Sequence, residues 1–160
     1  MKLTIDYLAK HPDRLPEVAS LHYGEWPSPQ HGDSIEAREK VLATCCQQGA
    51  LPLGVVALDG HDLCGFALLI RQDLERRMDL SPWLAGVLVR PKYRRKGIGS
   101  ALVTRIEAEA AALSVETLYL YTSHSELLYR RLGWHVIERY ENNSRNYAIM
   151  SKALSGWAFS

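Results

Sequence analysis

Apolar and polar residues alternate along this chain in two rhythms, and the switches between them mark out a mixed order of strands and helices. Leu3 to Leu8 alternates with period two and predicts a strand. From Pro12 to Trp26, the residues Leu15, Val18, Ala19, Leu21 and His22 recur at helical spacing, and Pro27 with Pro29 closes the segment. Asp33-Ser34-Ile35-Glu36 reads as a capping box, with Glu36 folding back on the cap, for a helix running to about Gln48. Residues 51–58 and 63–71 are apolar runs joined by Asp59-Gly60-His61-Asp62, a hairpin signal. Residues 73–80 are charged and read as a loop.

Residues 83–89 are apolar on both faces and predict a central strand. Residues 99–113 predict a helix with Leu102, Val103, Ile106, Ala110 and Leu113 on one side, and residues 117–122 a short strand. Ser123-His124-Ser125-Glu126 reads as a second capping box, opening a helix that closes at Leu132-Gly133. Residues 134–140 and 146–150 form a last hairpin across Glu141-Asn142-Asn143-Ser144. The order predicts one curved sheet with helices on both faces. It reads as a single domain over residues 1–153, followed by a loose tail over 154–160 in which Trp157 and Phe159 could pack back.

The 160 residues suffice for one ordinary core, and a formal charge of +1 argues against a general nucleic-acid or membrane-surface binder. Of three cysteines, Cys45 and Cys46 are adjacent and Cys64 sits in an apolar run, so neither a disulfide framework nor a zinc spacing is present. No segment reads as a signal peptide or a membrane span, and the expectation is a cytoplasmic protein.

The chemistry concentrates between Val87 and Leu102. An apolar strand enters a basic turn, two glycines follow, and a helix starts at once. Backbone amides, the positive end of a helix dipole and cationic side chains thus converge on one place, an arrangement suited to phosphate. A P-loop signature is absent, and a dinucleotide fingerprint fails because Leu102 stands at its third glycine. Gly97 and Gly99 let the main chain close tightly round an oxygen-rich group, with the amides of Arg95 to Ser100 turned inward. Arg90, Lys92, Arg94, Arg95 and Lys96 add positive potential.

The remaining pattern, Arg94-Arg95-Lys96-Gly97-Ile98-Gly99 between strand and helix, resembles the acyl-coenzyme A turn of the GNAT N-acetyltransferases. The resemblance extends to Leu128-Tyr129-Arg130-Arg131-Leu132-Gly133-Trp134 and to the order of elements, nearly the whole chain. It implies a GNAT fold: a mixed, mostly antiparallel curved sheet of about seven strands with about four helices. It also implies acetyl-CoA as donor, held at Arg94, Arg95, Lys96, Gly97, Ile98, Gly99 and Ser100, with the pantetheine arm along Val87, Leu88 and Val89. The acceptor would be a small-molecule or peptide amine, with neither nucleic acid nor membrane as partner, and the protein a monomer or a homodimer formed through the final hairpin.

By the same resemblance, Tyr129 would protonate the departing thiolate. A phenol of pKa about 10 is a plausible donor to a thiolate of pKa about 8.5. Several relatives carry a glutamate base on the fourth strand. Here Trp83 holds that position and the strand has no carboxylate, so deprotonation of the amine falls to a water chain, with His124 as a candidate helper. Ser123 either bonds the pantetheine or caps the following helix, two roles for one hydroxyl. Trp26 and Trp83 are candidates for an apolar wall around the acceptor. Two other readings use the same turn: a non-catalytic acyl-CoA sensor, and a phosphoprotein- or RNA-binding domain.

Overall fold

A computed structural model describes residues 1–28 and 32–154. Seven strands form one sheet: β1 (Leu3–Tyr7), β2 (Leu53–Asp59), β3 (Asp62–Ile70), β4 (Trp83–Val89), β5 (Thr117–Thr122), β6 (His135–Asn142) and β7 (Arg145–Ala153). Their order is β1-β2-β3-β4-β5-β7-β6, antiparallel except between β4 and β5. Helices α1 (Leu15–Glu25) and α2 (Ile35–Ala43) cover one face, α3 (Ile98–Ala112) and α4 (Glu126–Arg131) the other. Pro29, Trp157 and Phe159, which carried sequence expectations, lie outside the described residues.

The near-continuous apolar runs of β2 and β3 follow from their place in this sandwich. Val55 and Ala57 face the core under α3, while Val56 and Leu58 face the core under α1 and α2. A strand buried on both sides has no polar face to alternate with. In α3, Leu102, Val103, Ile106 and Ala110 are fully buried as their spacing predicts. Glu107 on the same helix is also buried, its carboxylate accepting from Lys152 Nζ at 2.7 Å and Trp134 Nε1 at 3.1 Å. A buried charge needs such partners.

Both expected capping boxes are corrected. The cap of α2 is Ser34, whose hydroxyl accepts from Ala37 N at 3.0 Å, so Ala37 stands where a box would need an acid. Asp33 turns instead to Arg38. The helix stops at Ala43 rather than near Gln48. The amides of Thr44, Cys45 and Cys46 fall back to carbonyls three residues earlier, and Cys45 O is then taken by Gly54 N of β2. At α4 the cap position is Ser125, with no side-chain cap bond. Thr122 Oγ1 accepts from Ser125 N at 3.0 Å, and Glu126 pairs with Arg130 and Arg139.

β6 is the outer edge, and its last turn at Asn143-Ser144 has both residues at positive φ, the geometry of a tight hairpin. No helix among the described residues is long and apolar enough to cross a membrane.

Candidate active site

The centre of the sheet is not closed. β4 pairs with β5 at the rung Trp83↔Tyr119 and at no later one, so the two strands diverge towards the end of β4. A bulge accompanies the divergence: Phe66 opposes Leu88 and Leu68 opposes Ala85, which leaves Gly86 and Val87 together facing Ala67. Gly86 takes a φ of +56°, and a Cβ there would lie 3.1 Å from Leu68 Cδ1. Beyond the bulge, Arg90 N donates to Cys64 O on the β3 side. Alternation then points the amides of Val87 and Val89 into the gap and that of Leu88 towards β3.

The gap runs into the turn that follows β4. Tyr93 and Ile98 are buried and anchor its two ends. Between them Arg95 and Gly97 adopt left-handed φ values of 63° and 78°, curling the chain into α3. A Cβ at Gly97 would meet no protein atom within 4 Å, so the dihedral rather than crowding calls for glycine. Among the described residues, the amides from Arg95 to Ser100 find no acceptor in the protein. They head a helix of 15 residues whose dipole adds to them. Arg95 and Lys96 are exposed beside them, and Arg94 Nε donates to Val89 O at 3.1 Å. Arg90 is not part of this cluster: its guanidinium bonds Glu17 of α1 and Leu63 O.

On the opposite face, a cavity of about 650 Å³ opens between α1, α2 and the sheet. Its floor is the bulged stretch from Leu84 to Val87, and Trp26, Val41, Leu68 and Ile70 make much of its wall apolar. Three polar groups converge there. Arg38 donates to both carboxylate oxygens of Asp33, to Trp26 O and to His22 Nδ1, tying the end of α1 to α2. Burial, with Arg38 in support, pushes the His22 imidazole down to about 4. The ring is therefore neutral at pH 7 and, with Nδ1 accepting, carries its proton on Nε2 beside Gly86.

The third group is Asp73, from the charged loop between β3 and β4. Its carboxylate has no hydrogen-bond or ion-pair partner among the described residues, and burial pushes it up to about 7. The loop is fastened over the face of the last strands. Arg77 bridges Asp79 and Glu138, Arg76 stacks over Tyr140 at 4.3 Å, and Leu80 O accepts from Trp83 Nε1. That fastening carries Asp73 to Tyr121 of β5, whose phenol is pushed well above its usual range by burial and by Asp73.

The sequence-derived candidates divide between these places. Val87 to Val89 and the turn from Arg94 to Ser100 form one continuous stretch along the gap. Tyr129 lies in the core beneath α3, its ring edge-on to Trp134, and burial raises its phenol to about 12. The hydroxyl has no hydrogen-bond partner among the described residues and is not sealed from solvent. Ser123 Oγ and His124 Nδ1 are engaged with each other at 3.0 Å; His124 is exposed and does not line the cavity. Trp26 does line it, at 38% exposure. Trp83 has 0% exposure and packs on Tyr119 and Tyr121, so it supports the wall from behind and offers no surface of its own. Gly86, Arg38 and Asp73 escaped the sequence reading. A glycine inside an apolar strand is the standard sign of a bulge and could have identified Gly86. Nothing local distinguishes Asp73 from any solvated loop acid.

Residues 53–136, just over half of the chain, match the family model described as an acetyltransferase (GNAT) domain. No curated protein matches the chain in sequence. Among solved structures, an aminoglycoside 6'-N-acetyltransferase complexed with coenzyme A is 20% identical with a TM-score of 0.72, over 94% of this chain and 97% of that one. The ribosomal-protein-S18-alanine N-acetyltransferase from Escherichia coli is 24% identical with a TM-score of 0.66, over 96% and 94%. A spermidine/spermine N-acetyltransferase from Vibrio cholerae is 17% identical with a TM-score of 0.71, over 99% and 98%. At these identities the likeness is one of fold.

Proposed function

The chain belongs to the GNAT acetyltransferase family, and from that premise we propose that it moves an acetyl group from acetyl-coenzyme A to a primary amine. The observation that carries the reading is the continuity of three features: acceptor-less amides at the head of α3, the inward-facing edge of Val87 and Val89, and a cavity on the far side of the same bulge. A pyrophosphate fits the first, since left-handed Arg95 and Gly97 turn successive amides to one side beside Arg94, Arg95 and Lys96. An extended amide-bearing arm fits the second as an added strand. An amine approaching through the third would reach the arm's end at the bulge.

The chemistry then asks the chain for a carbonyl polariser and a proton donor. Val87 N–H, aimed into the gap by the bulge, polarises the thioester carbonyl as charge builds on its oxygen. Tyr129 donates to the leaving sulfur. With its phenol raised to about 12 it is in the donor form throughout the working pH range. Ser123 and His124 flank the end of β5 and remain candidates for contacts to the arm and for proton traffic.

Two measurements test this. Acetyl-CoA should raise the melting temperature, and thiol should be released when amines are added; no stabilisation by acetyl-CoA overturns the reading. Tyr129→Phe should lower kcat by about 100-fold with little change in the KM for acetyl-CoA, in the range expected for loss of a general acid. An unchanged kcat would show that the thiolate leaves unaided.

A further inference from the structure

We propose that Asp73 is the acceptor-side catalytic base, and that the cavity it faces selects amines carrying a single positive charge on an apolar body. The inference rests on the acetyltransferase reading above and supplies what β4 lacks, a carboxylate within the site. Four observations carry it.

First, the lining is mostly apolar: Trp26, Val41, Leu68 and Ile70 surround a space of about 650 Å³, room for a small molecule or the end of a peptide. Second, its one cationic side chain among the described residues, Arg38, is already matched by Asp33 at 2.8 Å. Third, His22 is neutral at pH 7 and its Nδ1 is committed to Arg38. Fourth, Asp73 faces the same cavity with no partner in the described residues. One unmatched carboxylate in an apolar chamber specifies one ammonium group. A polycation would leave its other charges against Trp26 and Ile70, uncompensated and desolvated.

The groups facing Asp73 set its proton affinity. Tyr121 of β5 lines the cavity beside it, with Tyr140 and Tyr147 of the last hairpin behind, and Arg76 stacked on Tyr140. His22 and the Arg38–Asp33 pair lie across the cavity. None of these bonds the Asp73 carboxylate, which is half-buried and keeps access to solvent through the cavity, so desolvation dominates and raises it to about 7, the range suited to a base working near neutrality.

The step balances as follows. The acceptor enters as R–NH3+ and gives one proton to the Asp73 carboxylate. The neutral nitrogen attacks the thioester carbon, forming the C–N bond; the C–S bond breaks, and the thiolate takes the Tyr129 proton. The remaining excess proton on nitrogen restores Tyr129 through water, and Asp73 returns its proton to solvent. The sum is amide, free thiol and one proton.

Asp73→Asn keeps the shape and removes the base. It should lower kcat/KM for 2-phenylethylamine at pH 7 by at least 100-fold and abolish the acidic limb centred near pH 7 in the wild-type profile. In wild type, 2-phenylethylamine should exceed spermidine in kcat/KM by at least tenfold. Acetyl-CoA should raise the melting temperature of both proteins equally, which shows the variant folded and donor-competent. Overturning results are an Asn variant within threefold of wild type with its acidic limb intact, or a preference for spermidine. Loss of the acetyl-CoA shift in wild type would instead remove the acetyltransferase reading beneath it.

Discussion

Gly86→Ala probes the bulge on which the whole site depends, and its cost can be worked from the structure. Gly86 sits at a φ of +56°, where an L-residue costs about 1–2 kcal/mol. The new Cβ would stand 3.1 Å from Leu68 Cδ1 and 3.4 Å from His22 Nε2, in a packed region where overfilling typically adds about 1–3 kcal/mol. Flattening the bulge offers no relief. Ala85 and Leu88 both belong to the core under α1 and α2, three residues apart in a strand that otherwise alternates. Without the bulge Leu88 would swing to the other face. The expected loss is therefore about 2–5 kcal/mol, or roughly 4–20 °C in Tm for a chain of this size. Gly24→Ala is the control: it lies in α1 with no atom within 4 Å of the new methyl and should be stabilising by about 0.5–1 kcal/mol. Urea denaturation of the three proteins, with matched m-values, measures both signs. If Gly86→Ala proves within 0.5 kcal/mol of wild type, about the limit of surface effects, the strained bulge is not what shapes β4.

Two further outcomes are expected. Lys152→Met strands the Glu107 carboxylate, 2% exposed, with Trp134 Nε1 as its remaining partner, and should cost about 3–5 kcal/mol in urea unfolding. Adding Glu107→Leu should recover most of it; an additive double variant would deny the coupling. The second concerns pH. Asp73, raised to about 7, holds a proton in the folded chain that the unfolded chain releases above pH 4, so its contribution to stability falls as pH rises from 4 to 7. His22, lowered to about 4, does the reverse between pH 4 and 6.5. The two oppose each other in wild type. Asp73→Asn should unmask the His22 slope, leaving the variant less stable relative to wild type at pH 4 than at pH 7 by about 2 kcal/mol after allowance for solvent screening; a pH-independent difference refutes it.

The local rhythm of the chain determined more than its elements. Period-two and period-3.6 patterns placed all seven strands and four helices, because each element must bury one face or two and the pattern records which. The shape of the turn at Arg94 to Ser100 was legible too, with Gly97 at positive φ at the head of α3. It is built from backbone amides and glycine dihedrals over a few consecutive residues, and such information is local. The caps were misread, since Ser34 and Thr122 differ from their neighbours only in which hydroxyl the folded loop brings to an amide.

Tertiary structure decided the cavity between α1, α2 and the sheet. Trp83 passed from candidate wall to buried support because β5 places Tyr119 and Tyr121 against it. Asp73, one acid in a charged loop, became a carboxylate of the cavity wall, without a partner among the described residues, because Arg77 reaches Glu138, 61 residues further along the chain. The basic turn after β4 is written in sequence since neighbours in the chain build it. The cavity is assembled from α1, α2, β3, β4, β5 and a loop, and the proton affinity of the Asp73 carboxylate on its wall is set by burial that no local pattern of residues encodes.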